Sequence, residues 1–326
     1  MKSETLEINE PSCPRTANRP SEFPEIAGSA ENTIAIPPGA CLLCGSSEIS
    51  WIQRIKGYTI VDCRRCGLRY LRDRIGEDAV MRYYREAYFH PGVDPSSGYE
   101  DYFLIRKERE KTFRLYLSKV LPHLRRFENV LDIGCGAGYF LSVADRRFTR
   151  VFGIDVSPEA LSRVNIACEL RCGEFRSGLY PAGFADVIML CDVIEHVYHL
   201  REFLGEAARV LHPDGVLCLV TPNRTSVLGR ISGRRNISYK LPEHVSFFDP
   251  QSIARALGEA GLEIIDRHSC GQYATVDYVA RRLGAAVFKK RNVLPLPGFI
   301  RRRTFYVNTG SMLILARRRS GEQTTA

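Results

Sequence analysis

The sequence predicts an α/β protein, a doubly wound sheet with helices on both faces, preceded by a small metal-binding module. Three observations carry this expectation. The apolar run Asn129–Ile133 opens directly into Gly134, Gly136 and Gly138, and then into helix-forming residues. Strand-like and helix-like segments alternate after it, the pattern of a sheet wound in βα units. Two matched Cys-x-x-Cys-Gly segments stand well ahead of it.

The chain has 326 residues, room for one large domain and something smaller at about 150 residues per domain. Hydrophobic residues are 44% and charged residues 25%, which suits a soluble globular protein and excludes a collagenous or wholly disordered one. No run approaches the ~20 apolar residues that cross a bilayer; the stretch from Leu283 to Ile300 is interrupted by Lys289, Lys290 and Arg291. The start, Met1-Lys2-Ser3-Glu4, carries no apolar signal region, so a cytoplasmic location is expected. Eleven cysteines, an odd number in such a chain, do not suggest a disulfide framework. The seven outside the two pairs read as small hydrophobes.

From the N-terminus, residues 1–35 are rich in Pro, Glu, Ser and Asn, and a disordered tail is expected there. Residues 36–75 hold the cysteine pairs, Cys41 with Cys44 and Cys63 with Cys66, separated by 18 residues. This is the spacing of a tetrahedral zinc site, in which each two-residue spacer lets both sulfurs reach one metal. Four sulfurs close the coordination shell, so the zinc is expected to be structural and the module zinc-ribbon-like. Residues 76–124 turn helical and aromatic, from Tyr83, Tyr84, Tyr88, Phe89 and Tyr99 through Tyr102, Phe103, Phe113 and Tyr116. They read as a linker packed on the next domain, or as a lid.

Residues 125–318 form the main domain. Strands are expected at Asn129–Ile133, Val151–Asp155, Cys168–Cys172, Ala185–Leu190, Gly215–Thr221, Leu262–Arg267 and Tyr306–Ala316, and helices near Tyr139–Arg147, Pro158–Ile166, Leu200–Val210 and Pro250–Ala260. An irregular polar insert separates Thr221 from Val245.

Glycine in the turn after Ile133 permits a tight reversal and lets backbone N–H groups approach a ligand. Gly134, Gly136 and Gly138 are spaced two apart, unlike the Gly-x-Gly-x-x-Gly of a dinucleotide loop. Asp132, at the strand end, would repel a pyrophosphate and attract a cation. Asp155 ends the next strand 17 residues after Gly138, close to the ~20-residue spacing at which an acid meets ribose hydroxyls. Ser157-Pro158 supplies the cap of the following helix, which leaves Asp155 for a ligand. S-adenosylmethionine, with a sulfonium, an ammonium and a ribose, fits this set.

Leu131-Asp132-Ile133-Gly134-Cys135-Gly136-Ala137-Gly138 resembles the first motif of class I, Rossmann-like, S-adenosylmethionine-dependent methyltransferases. The resemblance continues through Gly153–Ser157, Phe184–Ile188, Asp192–Val197 and Val210–Gly215, covering about residues 125–270. His212-Pro213-Asp214-Gly215 departs mildly from that family's usual Lys-Pro-Gly-Gly. The family resemblance implies a seven-stranded mixed sheet with an antiparallel last strand. It implies that Asp132, Gly134, Gly136, Gly138 and Asp155 bind the cofactor. It further implies that Glu174 reads the adenine amino group with Phe175 beside it, and that Cys191 and Asp192 line the methionine end.

His196 and His244 stand where strands end at the carboxyl edge, and both are candidates for removing the acceptor's proton. Asp192 with Glu195-His196 also resembles the Glu-x-x-Glu-His pattern of some metal-assisted methyltransferases, with His244 as a further ligand and the first acid shortened to Asp. A four-cysteine module ahead of this fold is similar to bacterial sugar- and polysaccharide-pathway methyltransferases, which implies a polar acceptor such as a sugar or lipid-linked saccharide. The net charge of +9 favours an anionic acceptor and leaves room for contact with an acidic membrane face. An RNA methyltransferase is the alternative, though no stacking-aromatic motif accompanies the basic clusters. A non-catalytic binding protein on the same fold is opposed by the intact glycine loop. The insert 222–245, with Arg224, Arg230, Arg234, Arg235 and Lys240, is expected to close over the acceptor.

Overall fold

The computed structural model describes residues 39–74, 76, 102–233, 236, 238–280 and 297–319. The expected tail 1–35, the aromatics from Tyr83 to Tyr99, and Arg234, Arg235 and Lys289–Arg291 lie outside the described residues.

The central sheet forms because its strands are apolar on both faces, as strands covered on both sides must be. β4 (Asn129–Ile133), β5 (Arg150–Asp155), β6 (Glu169–Cys172), β7 (Ala185–Cys191) and β8 (Leu211–Pro222) run parallel, in the order β8-β7-β4-β5-β6. β11 (Thr304–Arg318) adds antiparallel to β8, and β10 (Leu262–Thr275) adds antiparallel to β11. The result is the seven-stranded mixed sheet that the resemblance implied.

Successive residues of a strand point to opposite faces, and here they build two cores. Leu131, Ile133, Phe152, Ile154, Ile188, Leu190, Leu217 and Leu219 face α4 (Leu200–Val210) and α6 (Pro250–Glu259). Val130, Val151, Val187, Met189, Val216 and Cys218 face α1 (Arg106–Val120) and α2 (Tyr139–Ala144). α3 (Pro158–Ser162) is short and starts at Ser157, whose hydroxyl accepts from the Ala160 N–H. α6 begins in a full capping box between Asp249 and Ser252. Helices α2 and α3 stop earlier than their apolar periodicity suggests, while β8, β10 and β11 run longer.

α1 lies in the stretch read as a linker packed on the next domain or as a lid, and it packs there: it buries Thr112, Phe113, Tyr116, Leu117 and Val120, and the Tyr116 hydroxyl donates to the Gly271 carbonyl at 2.6 Å. The cysteine module, in turn, is not a separate bead. β1 (Ile49–Ile55), β2 (Tyr58–Cys63) and β3 (Arg69–Leu71) form an antiparallel sheet whose fourth strand, β9 (Ser246–Phe247), directly follows the insert 222–245. Cys41, Leu42, Leu43, Cys63, Cys66, Leu68 and Tyr70 belong to the same apolar cluster as Val245, Phe248 and Ile253. The insert holds α5 (Val227–Ser232). Near the end, α7 (Gly298–Arg301) precedes β11. Among the described residues no helix is long and apolar enough to cross a membrane.

Candidate functional site

The loops that follow β4, β5, β7 and β8 all leave the carboxyl edge of the sheet, the edge at which such folds bind ligands. After β4, Gly134, Gly136 and Gly138 adopt φ of +75°, +53° and +71°, the left-handed region that glycine alone enters without cost. A Cβ on Gly134 would lie 2.4 Å from the Val193 side chain, so the glycine also lets this loop lie against the segment after β7.

Asp155 is not free, as the sequence suggested, but ties the loop to β5. One carboxylate oxygen accepts from the Gly136 N–H and the other from the Ser157 N–H, each at 2.8 Å. An ionised carboxylate offers about four lone-pair sites, so each oxygen keeps capacity for a ribose hydroxyl. Burial raises its pKa, and these backbone bonds pull it back down. Asp132 is 4% exposed. Burial, then the Asp155 charge, push its carboxyl well up, while Arg109 acts the other way. A cation docked beside it would restore the ionised form.

After β6, Glu174 carries Arg176, accepting at 2.8 Å from its Nε and also from its Nη2. Phe175 packs edge-on to Phe203, ring centroids 5.5 Å apart, and lies parallel to Tyr180 at 6.4 Å. Cys191 ends β7, its Sγ 3.8 Å from the Asp192 carboxylate. Asp192 holds φ +56°, a strained conformation for a residue with a Cβ, fixed by its N–H donating to the Val220 carbonyl at 2.9 Å. Nothing in the sequence signals that strain. Nor does it single out Arg109, which reaches from α1 to within 4.0 Å of Asp192 and donates to Gln272 at 3.1 Å.

His196 and His244, 48 positions apart in the chain, meet edge-to-face with centroids 4.7 Å apart. Nδ1 of His196 lies 3.0 Å from the Glu243 carbonyl, and Nδ1 of His244 lies 2.8 Å from the Ser238 carbonyl. A carbonyl only accepts, so each ring carries its proton on Nδ1 and its lone pair on Nε2. Burial pushes His196 down to about 4, and burial with the neighbouring His196 pushes His244 well down. Glu195 is buried; its Oε2 accepts from the Thr221 hydroxyl at 2.9 Å, and its Oε1 has no hydrogen-bond partner among the described residues. Burial and then Asp192 raise it to about 8, so at neutral pH it is largely protonated. One ligand atom each from Glu195, His196 and His244 lie within 4.8 Å of one another, a spacing a metal ion could bridge. Asp192, the first acid of the pattern noted in the sequence, lies outside that group and faces Arg109.

The four paired cysteines also converge, with all sulfurs within 4.8 Å. Cys41 and Cys66 are 3.4 Å apart, and Cys44 and Cys63 are 3.5 Å apart. Four thiols so placed, three of them buried, suit one tetrahedral zinc.

A left-handed glycine cradle, an acid ending the second strand and a buried acid ending the first stand together at the carboxyl edge of a doubly wound sheet. A methyltransferase domain family matches residues 105–267, half of the chain, and the chain belongs to that family. It is 30% identical over 149 residues to the "Probable S-adenosylmethionine-dependent methyltransferase" of Mycolicibacterium smegmatis, covering 45% of this chain and 56% of that protein. It is 31% identical over 151 residues to a ubiquinone biosynthesis O-methyltransferase of Thiobacillus denitrificans, covering 42% and 65%. An enzyme of the same name from Azoarcus is 28% identical over 153 residues, again covering 42% and 65%. The chain thus spans about 56–65% of the length of these relatives. Among solved structures it is similar to an S-adenosylmethionine-dependent methyltransferase from Clostridium acetobutylicum, with a TM-score of 0.46 and 16% identity over 67% of this chain and 95% of that one.

Proposed function

We propose that the chain transfers a methyl group from S-adenosylmethionine to a hydroxyl oxygen of a small-molecule acceptor. The observation that carries the reading is the edge-to-face pair of His196 and His244, each with Nδ1 held by a backbone carbonyl, at the edge where the glycine loop and Asp155 would hold the cofactor. S-adenosylmethionine, when bound, supplies an electrophilic methyl on a sulfonium. Gly134, Gly136 and Gly138 would admit its amino-acid portion, Asp132 would face its cationic end, and Asp155 would accept from its ribose. Glu174, once released from Arg176, would reach the adenine with Phe175 beside it, and Cys191 would line the methionine end. An imidazole Nε2 of His196 or His244 would accept the proton that the acceptor hydroxyl gives up as its oxygen takes the methyl.

An imidazole whose pKa lies near 4 is a weak base, but an oxygen being alkylated becomes a strong acid in the transition state, so a weak base suffices there. Uncharged rings also avoid placing a second cation beside a sulfonium. Cys41, Cys44, Cys63 and Cys66 would hold one structural zinc.

The module's resemblance to sugar-pathway enzymes would favour a saccharide acceptor, and the ubiquinone biosynthesis names of several relatives would favour an acceptor of that kind. Arg224 of the insert, proposed as part of an anionic-acceptor clamp, is already ion-paired with Asp249, which weakens that part of the reading. The test uses methyl-labelled S-adenosylmethionine with saccharides, lipid-linked saccharides, polyprenylated phenols and an RNA pool in parallel. Label on a hydroxyl of a small molecule supports the reading. Label on RNA alone, or on nothing while the cofactor binds, overturns it.

A further inference from the structure

His244 sits in a segment that the cysteine module grips from two sides. On one side, β3 pairs with β9 through Arg69↔Phe247 and Tyr70↔Ser246. The Leu71 N–H donates to the Val245 carbonyl at 2.9 Å, and the Val245 N–H donates to the Glu195 carbonyl at 2.9 Å. On the other side is one side chain. Arg69 is locked to Asp62, its cross-strand partner on β2, by two bonds of 2.7 and 2.8 Å. Its remaining terminal nitrogen donates to the Tyr239 hydroxyl at 3.0 Å. Tyr239 in turn lays its ring edge-to-face on Phe247 at 4.7 Å.

Tyr239 stands between the two residues that hold the histidine. The Ser238 carbonyl accepts from His244 Nδ1, and the Lys240 carbonyl accepts from the His244 backbone N–H, both at 2.8 Å. From these contacts we infer that Arg69 and Tyr239 are positioning residues for His244, and that the cysteine module frames the proton-handling side of the site. Arginine suits the task because its planar fork is held by Asp62 while one donor is left to aim. The purpose assigned to the pair rests on the proposed role of His244; the geometric coupling itself does not.

The test therefore reads His244 without any acceptor. In the zinc-loaded full chain, nitrogen-resolved NMR should find a single His244 tautomer with a slowly exchanging proton on Nδ1. Arg69→Ala should speed that exchange about fivefold to tenfold, as loss of about one supporting hydrogen bond predicts, while zinc content and cofactor affinity hold. Tyr239→Phe, which keeps the ring on Phe247 and drops only the hydroxyl, should show the same direction with a smaller size, and it keeps the test open if Arg69→Ala fails to fold. Arg54, whose Nε bonds the Gly57 carbonyl in the β1–β2 turn, is the control: Arg54→Ala should leave the His244 proton unmoved. Unchanged exchange in both Arg69→Ala and Tyr239→Phe overturns the inference, as does an equal change in Arg54→Ala. If the coupling holds but no acceptor is ever labelled, the methyl-transfer reading falls while the coupling stands.

Discussion

The cofactor loop and the histidine loop open at the same edge of one sheet, yet they are built in opposite ways. The first is local: β4, three left-handed glycines, α2 and the acid of β5 lie within 27 residues, from Asn129 to Asp155. The second is assembled from three separate segments: Arg69–Leu71 of the module, Glu195–His196 after β7, and Ser238–Phe247 at the end of the insert and in β9. Backbone geometry that only glycine tolerates leaves a mark in sequence. A hydrogen bond between residues 170 positions apart, such as Arg69 with Tyr239, leaves none.

The sharpest way to break the comparison is at Gly134. Gly134→Val would put a branched side chain where φ is +75° and where even a Cβ meets Val193 at 2.4 Å. A left-handed conformation alone costs about 1–2 kcal/mol, and the clash adds to it. Affinity for S-adenosylmethionine should fall by about a hundredfold or more in calorimetry, with a much smaller change in His244 exchange, passed on through Val193 to Glu195–His196. A matched loss at His244 would mean that the two halves are not independent.

The reciprocal change is Cys63→Ser. It should lose one zinc per chain in elemental analysis and lower the thermal midpoint by about 10 °C or more, since the binding energy of a structural zinc is folding energy. Because β3 carries β9, His244 should lose its exchange protection, while cofactor affinity falls about twofold at most.

Between these extremes lies pH. In the unfolded chain the imidazoles titrate near 6.5; in the native state His196 resists protonation until about 4. As pH falls from 6.5 to about 4, the unfolded state takes protons that the native state refuses, so stability drops. Glu195 acts in the opposite direction. Raised to about 8 from 4.5, it contributes stability that is complete below 4.5 and lost as pH rises through 8. Relative to His196→Gln, the wild type should lose up to about 3 kcal/mol across the acid window. Relative to Glu195→Gln, it should lose stability across the neutral one. Parallel stability curves in either comparison would show that the group is not held as described.

How far each half was legible follows from the same contrast. The parallel strands, the left-handed glycine loop and the convergence of the paired cysteines announce themselves through apolar runs, spacing and glycine. The acids were half legible. Asp155 marks a strand end in sequence, but its two bonds to Gly136 and Ser157 depend on how β5 lies beside β4. Asp192 with its positive φ, and Arg109 crossing from α1, depend on tertiary packing alone. The union of module and insert in one four-stranded sheet depends on Tyr70 finding Ser246, a pairing with no periodic signal on a two-residue strand.

The smallest expected effect concerns the Glu174 carboxylate. The family resemblance implies that Glu174 reads the adenine amino group, and the structure binds it to Arg176. Arg176 is 69% exposed, and exposed ion pairs contribute about 0–1 kcal/mol, so the pairing is a weak competitor for an adenine that arrives with its own donor. Arg176→Ala should then free the carboxylate and tighten S-adenosylmethionine by about twofold to fivefold, the range that less than about 1 kcal/mol spans. The gain should vanish in the double variant with Glu174→Gln, because the amide presents one acceptor and no charge. Weaker cofactor binding in Arg176→Ala would instead mean that the ion pair shapes the adenine wall, and that Glu174 serves the site by holding Arg176 in place.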